Sequence, residues 1–286
     1  MRLVDSHCHL QADRFEADVD QVIGAARLAG VERILVPGWD ATSSRAALDL
    51  VDRYPWLDAS VGVHPHDAER VEDAEWAHLA ALAADPRVVA TGETGLDFDR
   101  LFSPVLAQLA NLRRNLRLAA DTAKPAILHC RSAAGRRDAQ DALLAEVRAF
   151  GATPPPILIH SFSGPLDYAG AMLDLGAAIS FSGLSFRAGE ESTAEVARRT
   201  PADRILVETD SPYLSPPGAP RRRNSPEWVR VTAAWIADLR GDERDRFGDQ
   251  LVANYDGLFR PDGARVEAAE SSFAVSPGLT RGPTTG

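Results

Sequence analysis

The stretch Leu3-Val4-Asp5-Ser6-His7-Cys8-His9 decides the reading of this chain. A short apolar run gives way at once to an acid and two imidazoles. Read as a strand, it sends His7 and His9 to one face, because side chains two residues apart align along extended backbone. Both rings can then converge on one ion, while Cys8 turns the other way, into the core.

Outward from this stretch the same pattern recurs. Apolar runs near residues 33–36, 59–63, 88–91, 126–130, 157–161, 177–181 and 205–208 follow the first at 3–8, making eight. Between them lie longer amphipathic stretches at 18–29, 43–54, 75–84, 104–122, 138–150, 165–175 and 192–199. A further helix opens at Asn224-Ser225-Pro226 and runs through Leu239, with Pro226 suited to the first turn, and another lies near 242–258. Alternating strands and helices build a parallel sheet covered by helices, and eight repeats are the number that closes. The expected fold class is α/β: a (β/α)8 TIM barrel, a single domain over residues 1–260. From about Pro261 onward Gly, Pro, Ser and Thr recur without a period, so 261–286 is expected to be a flexible, disordered tail.

Composition agrees with one soluble unit. A length of 286 residues suits a single barrel, and 45% hydrophobic with 25% charged residues is globular composition. The longest apolar runs are too short to cross a bilayer, and the N-terminus has no basic segment leading into an apolar core and cleavage site. A cytoplasmic protein with no membrane partner is expected, monomeric by preference. Two cysteines, Cys8 and Cys130, exclude a disulfide framework and read as small core residues. A net charge of −10 is unlike the basic footprint of most nucleic-acid binders. A bound dication supplies positive charge locally, however, and Arg136-Arg137 and Arg221-Arg222-Arg223 are basic clusters of their own.

Chemistry-bearing residues fall where the apolar runs end, and in a parallel barrel those ends meet at one face. After His7 and His9 come His64 in Gly62-Val63-His64-Pro65-His66, Glu93 and Asp97 in Gly92-Glu93-Thr94-Gly95-Leu96-Asp97, and His129 in Ile127-Leu128-His129-Cys130-Arg131. His160 follows in Ile157-Leu158-Ile159-His160-Ser161-Phe162, then Glu208 and Asp210 in Val207-Glu208-Thr209-Asp210-Ser211-Pro212-Tyr213. Runs two and seven end without such residues. Six of the 7 histidines belong to these motifs. Imidazoles with carboxylates suit zinc, manganese or another divalent ion, while the lack of paired thiolates argues against a structural zinc cage or an iron–sulfur cluster. Two divalent ions per chain are expected. One would take His7, His9, Asp210 and one oxygen of Glu93; the second would take the other oxygen with His129 and His160. A carboxylate shared in this way sets ions about 3.5–4 Å apart, as in two-metal hydrolases. Glu208, two residues before Asp210 and deeper on the same face, is placed to orient a histidine ligand. Asp97 is read as steadying its loop, contacting substrate or serving as a turn carboxylate, His66 as a substrate contact or a loop residue, and His78 as surface.

Taken in order, Asp5-x-His7-x-His9, Gly62-x-His64-Pro65, Gly92-Glu93-x-Gly95-Leu96-Asp97, His129-x-Arg131, His160-Ser161-Phe162-Ser163-Gly164 and Glu208-Thr209-Asp210-Ser211-Pro212-Tyr213 resemble the TatD family of metal-dependent hydrolases. These are amidohydrolase-like barrels whose characterised members are deoxyribonucleases, and the resemblance covers roughly residues 1–260. It implies a DNA substrate, attacked at single-stranded ends by 3′-to-5′ exonuclease action. It places Glu93, Asp210 and His64 in catalysis, with Asp210 as general base, and sets His64 and Arg131 on the non-bridging oxygens of a phosphodiester. Two departures bear on substrate recognition: Phe98-Asp99 stands where an aromatic pair is usual, and residues 217–224 replace a loop that usually carries a histidine, an arginine and a lysine before Arg-Asn. The same activated water attacks carbonyl carbon, so the alternatives are hydrolysis of another ester or amide, such as D-aminoacyl-tRNA, and a catalytically silent metal-stabilised scaffold.

Overall fold

Eight strands lie side by side in sequence order, every neighbouring pair parallel. They are β1 (Leu3–Asp5), β2 (Val31–Pro37), β3 (Leu57–Val61), β4 (Val88–Asp97), β5 (Ala126–Arg131), β6 (Ile157–Ile159), β7 (Ala178–Phe181) and β8 (Ile205–Val207). The computed structural model describes residues 1–151 and 153–261, so the expected tail lies, from residue 262 on, outside the described residues. Helices follow the strands: α1 (Val19–Leu28), α2 (Ala41–Arg53), α3 (Asp73–Ala83), α4 (Val105–Thr122), α5 (Asp138–Phe150), α6 (Leu166–Asp174), α7 (Ser192–Arg199), α8 (Val229–Arg240) and α9 (Arg244–Phe259). This is the (β/α)8 barrel expected, with α9 added. Among the described residues no helix is long and apolar enough to cross a membrane.

Strands covered on both faces need apolar side chains throughout, and Ile34, Leu35 and Val36 of β2 are fully buried for that reason. Helix limits have local causes. The Asp40 carboxylate accepts from the Ser43 N–H at 2.7 Å and the Ser43 hydroxyl accepts from the Asp40 N–H, so a reciprocal cap opens α2. The helix expected from Asn224 starts instead as a 3-10 turn at Pro226–Trp228 and becomes α-helical at Val229.

Closure between β8 and β1 runs through the two strongest motifs. Ser6 N–H donates to Val207 O (3.0 Å), Asp210 N–H to His7 O (2.9 Å) and His9 N–H to Ser211 O (2.8 Å). Asp5 reinforces the seam, accepting from Thr209 N–H at 2.9 Å and from its hydroxyl at 2.6 Å. The seam that completes the barrel therefore also sets His7 and His9 beside Asp210.

β4 departs from the reading of its sequence, which ended it near Thr91. The strand continues to Asp97. Its register steps from Thr91 opposite Ala126 to Thr94 opposite Leu128, three positions against two, so one extra residue is accommodated as a bulge. Gly92 (φ 111°) and Gly95 (φ 137°) occupy this stretch, and a Cβ on Gly95 would fall 2.0 Å from the carbonyl oxygen of His129. Glycine contributes nothing to a hydrophobic period, which is why the run looked finished.

At the foot of β3, buried Asp58 accepts from the Tyr255 hydroxyl of α9 at 2.8 Å and pairs with Arg260 just beyond that helix. The last helix is thereby tied to the barrel.

Candidate metal centre

Glu93 occupies the middle of the rim, 3% exposed. Its oxygens face different imidazoles: Oε2 is 3.1 Å from His7 Nε2 and 3.7 Å from His9 Nε2, whereas Oε1 is 3.2 Å from His129 Nδ1 and 3.0 Å from His160 Nε2. Asp210 Oδ1 lies 3.2 Å from His9 Nε2 and 3.8 Å from His7 Nε2. Asp210 adopts φ 54°, a left-handed conformation that a short acidic side chain tolerates and that sits at the end of the β8 motif.

Imidazole nitrogens approach one another as well. His7 Nε2 and His9 Nε2 are 3.2 Å apart, and His129 Nδ1 and His160 Nε2 are 3.3 Å apart. One proton at most can lie between such a pair, so the group presents converging lone pairs and carboxylate oxygens, which is the donor chemistry of a cation site. The charge distribution agrees. Burial works to raise the Glu93 carboxyl, but the facing His160, His64 and His7 outweigh it and hold it well below the usual range. Burial likewise opposes the ionised Asp210, and His9 and His7 hold it low nonetheless. Against its own burial, His160 is driven well above the ordinary histidine value by Glu93 and Glu208. The field that draws a proton onto His160 also favours a cation.

Outer contacts fix the rings. His160 Nδ1–H donates to Glu208 Oε1 at 3.0 Å, so a neutral His160 turns its Nε2 lone pair toward the centre. His129 Nε2 is 3.4 Å from Asp97 Oδ2, leaving Nδ1 inward. Asp97 Oδ2 also accepts from His66 Nε2 at 2.8 Å, and Oδ1 accepts from the N–H groups of Asp99 and Arg100. Asp97 is thus a buried acid within β4 that steadies the loop and holds His66, with His129 Nε2 close by. His64 differs from the other histidines. Its Nδ1 accepts from the His66 N–H at 3.1 Å, so the neutral ring carries its proton on Nε2, 3.2 Å from Glu93 Oε1. Burial depresses its pKa to about 4 and keeps it neutral. Although it stands beside Glu93 and His129, this tautomer makes His64 a donor.

The rim opens into a cleft of about 1040 Å³. Arg131 lines it, 43% exposed, with Nε donating to Asp99 Oδ2 at 2.7 Å. The segments after β2 and β7 add no residue to the histidine–carboxylate cluster described above, but carry Trp39, Leu184 and Arg187 into the cleft wall. Neither these residues nor the Asp5–Thr209 clasp were singled out from the sequence. The position of Trp39 two residues past a strand end was the available signal. Cys8 and Cys130 are buried and unbridged, and His78 is on the surface against Arg45.

A barrel rim with this donor set defines a metal-dependent hydrolase. Residues 4–260 match the family described as TatD related DNase, and the chain belongs to that family. It is 38% identical over 265 residues to the 3′-5′ ssDNA/RNA exonuclease TatD of Erwinia billingiae, covering 90% of this chain and 99% of that one. It is 31% identical over 258 residues to the metal-dependent hydrolase YabD of Bacillus subtilis, again covering 90% and 99%. Among solved structures, the TatD homologue YjjV of Escherichia coli K12 superposes with a TM-score of 0.82 at 30% identity, covering 90% of this chain and 98% of that one.

Proposed function

We propose that this enzyme is a 3′-to-5′ exonuclease of single-stranded nucleic acid that binds two divalent ions. The observation that carries the reading is the division of the Glu93 carboxylate between two groups of imidazoles. His7, His9 and Asp210 with Oε2 would hold one ion; His129 and His160 with Oε1 would hold the other. Such ions lower the pKa of a bound water toward neutrality and draw charge from a phosphoryl oxygen.

The chain's own groups complete the reaction. Asp210, kept ionised by His9 and His7, takes the proton of the attacking water. His64, neutral with its proton on Nε2 and lining the cleft, donates to a non-bridging oxygen in place of Glu93 Oε1, and Arg131, aligned through Nε by Asp99, grips another. Glu208 holds His160 in orientation, and Asp97 stands beside His129. The exonuclease named among the relatives supports this substrate class.

The test offers purified protein end-labelled single-stranded DNA, single-stranded RNA, duplex DNA and D-aminoacyl-tRNA, with magnesium, manganese or zinc and with chelator. Mononucleotides should leave the 3′ end of the single strands, chelator should stop the reaction, and Asp210→Asn should slow it by about 10²–10⁴-fold. Cleavage of the aminoacyl ester alone, or an Asp210→Asn rate equal to wild type, would overturn the proposal.

A further inference from the structure

We infer that Trp39 and Tyr213 form a stacking platform that takes the nucleobases of a single strand beside His9, an inference that rests on the nuclease reading above. Both rings pack against His9, with centroids 5.2 Å and 5.9 Å from it, and both line the cleft. Tyr213 is 47% exposed, so part of its ring face is open to the cleft. The Arg14 guanidinium stands 5.3 Å from the Tyr213 centroid and lends it cationic support.

Neither ring hangs on a loose loop. The carbonyl of Trp39 accepts from His64 N–H at 2.9 Å and its N–H donates to Ser43 Oγ at 2.9 Å. Tyr213 N–H donates to Asp210 O at 2.9 Å. Each platform residue is therefore clamped by its backbone to a residue of the reacting centre or its neighbour, and little freedom is lost when a base stacks.

Trp39 follows β2 and Tyr213 follows β8, the neighbours that flank β1 across the closed seam, whereas Arg100 and Arg131 follow β4 and β5, which face β8 and β1 across an eight-stranded barrel. Trp39 and Tyr213 thus stand across the cleft from Arg100 and Arg131, with Arg187 after β7 nearer the rings, so that a strand can lay its bases on the rings while its phosphates reach guanidinium groups. Stacking tolerates every base, because each has a π-face, but it requires bases freed from a duplex. Preference for single strands is thus assigned to Trp39 and Tyr213.

The test measures fluorescence anisotropy of a labelled thymidine octamer, made with phosphorothioate linkages to suppress turnover, on the metal-loaded protein, alongside an abasic strand of equal length. Wild type should bind the base-bearing strand about tenfold or more tighter than the abasic one, the scale of one stacked base. Trp39→Leu and Tyr213→Leu should each lose most of that difference, whereas Trp39→Phe and Tyr213→Phe, which keep a ring, should restore it. Melting curves confirm that each variant is folded. Equal wild-type binding of the two strands, or leucine variants that discriminate as wild type does, would overturn the platform and leave the nuclease reading standing. Failure of wild type to bind either strand would remove both.

Discussion

His160 and Glu208 form a buried pair in which the Nδ1–H of the ring donates to Oε1 of the acid at 3.0 Å, and this bond turns the opposite nitrogen toward Glu93. Glu208 is fully buried and also accepts from the Ser6 hydroxyl. Removing it frees the ring to rotate and to place its proton on the inward nitrogen. Glu208→Ala should weaken divalent-ion affinity by about 10–100-fold, read by chelator competition. Unchanged affinity would deny Glu208 its orienting role.

Glu93 faces both groups of imidazoles, whereas His7 faces its Oε2 only. Under the proposed two-ion site, elemental analysis should therefore find both ions depleted in Glu93→Ala and chiefly one depleted in His7→Ala. Equal stoichiometry in wild type and Glu93→Ala would eliminate the shared carboxylate.

At the other end of the barrel, Arg260→Ala would strand the Asp58 carboxylate, which is 1% exposed. Breaking a buried pair in this way costs about 3–5 kcal/mol. Tyr255→Phe, which removes one hydroxyl donor and leaves the ion pair, should cost less, about 1–3 kcal/mol. Denaturant midpoints provide the comparison, and a larger loss in Tyr255→Phe would reverse this assignment.

Acid stability provides an independent check. Hydrogen bonds from the Arg87 side chain and backbone depress Asp85 to about 2 from its ordinary value of 3.8. A depressed carboxyl contributes stability above the unfolded value, and that contribution fades as pH falls through the folded value. With Arg87 39% and Asp85 22% exposed, solvent screening limits it to below about 1 kcal/mol. The stability difference between wild type and Arg87→Ala should hold steady from neutral pH to about pH 4 and shrink toward pH 2. A difference that grows on acidification would contradict the pairing.

Much of the architecture was legible because its signals are local. Apolar runs buried on both faces, such as 34–36 and 126–128, stand out in any window, and amphipathic helices separate them. The candidate donors were legible because chemistry-bearing residues recur at strand ends, where alternation alone aligns His7 with His9. β4 was misjudged in length for an equally physical reason. Gly92 and Gly95 erase the apolar pattern in order to let neighbouring backbones approach, and the bulge they permit carries Glu93 inward.

By itself, the sequence determined the order and kind of elements and the inventory of imidazoles and acids, since both follow from residues near one another in the chain. Only the tertiary structure decided which nitrogen of each ring faces inward, that His64 carries its proton on Nε2, that Asp97 holds His66, and that Trp39 and Tyr213 both pack against His9. Tautomers and cleft walls depend on partners brought together from distant strands, and a closed barrel fixes those distances only when all eight repeats are in register.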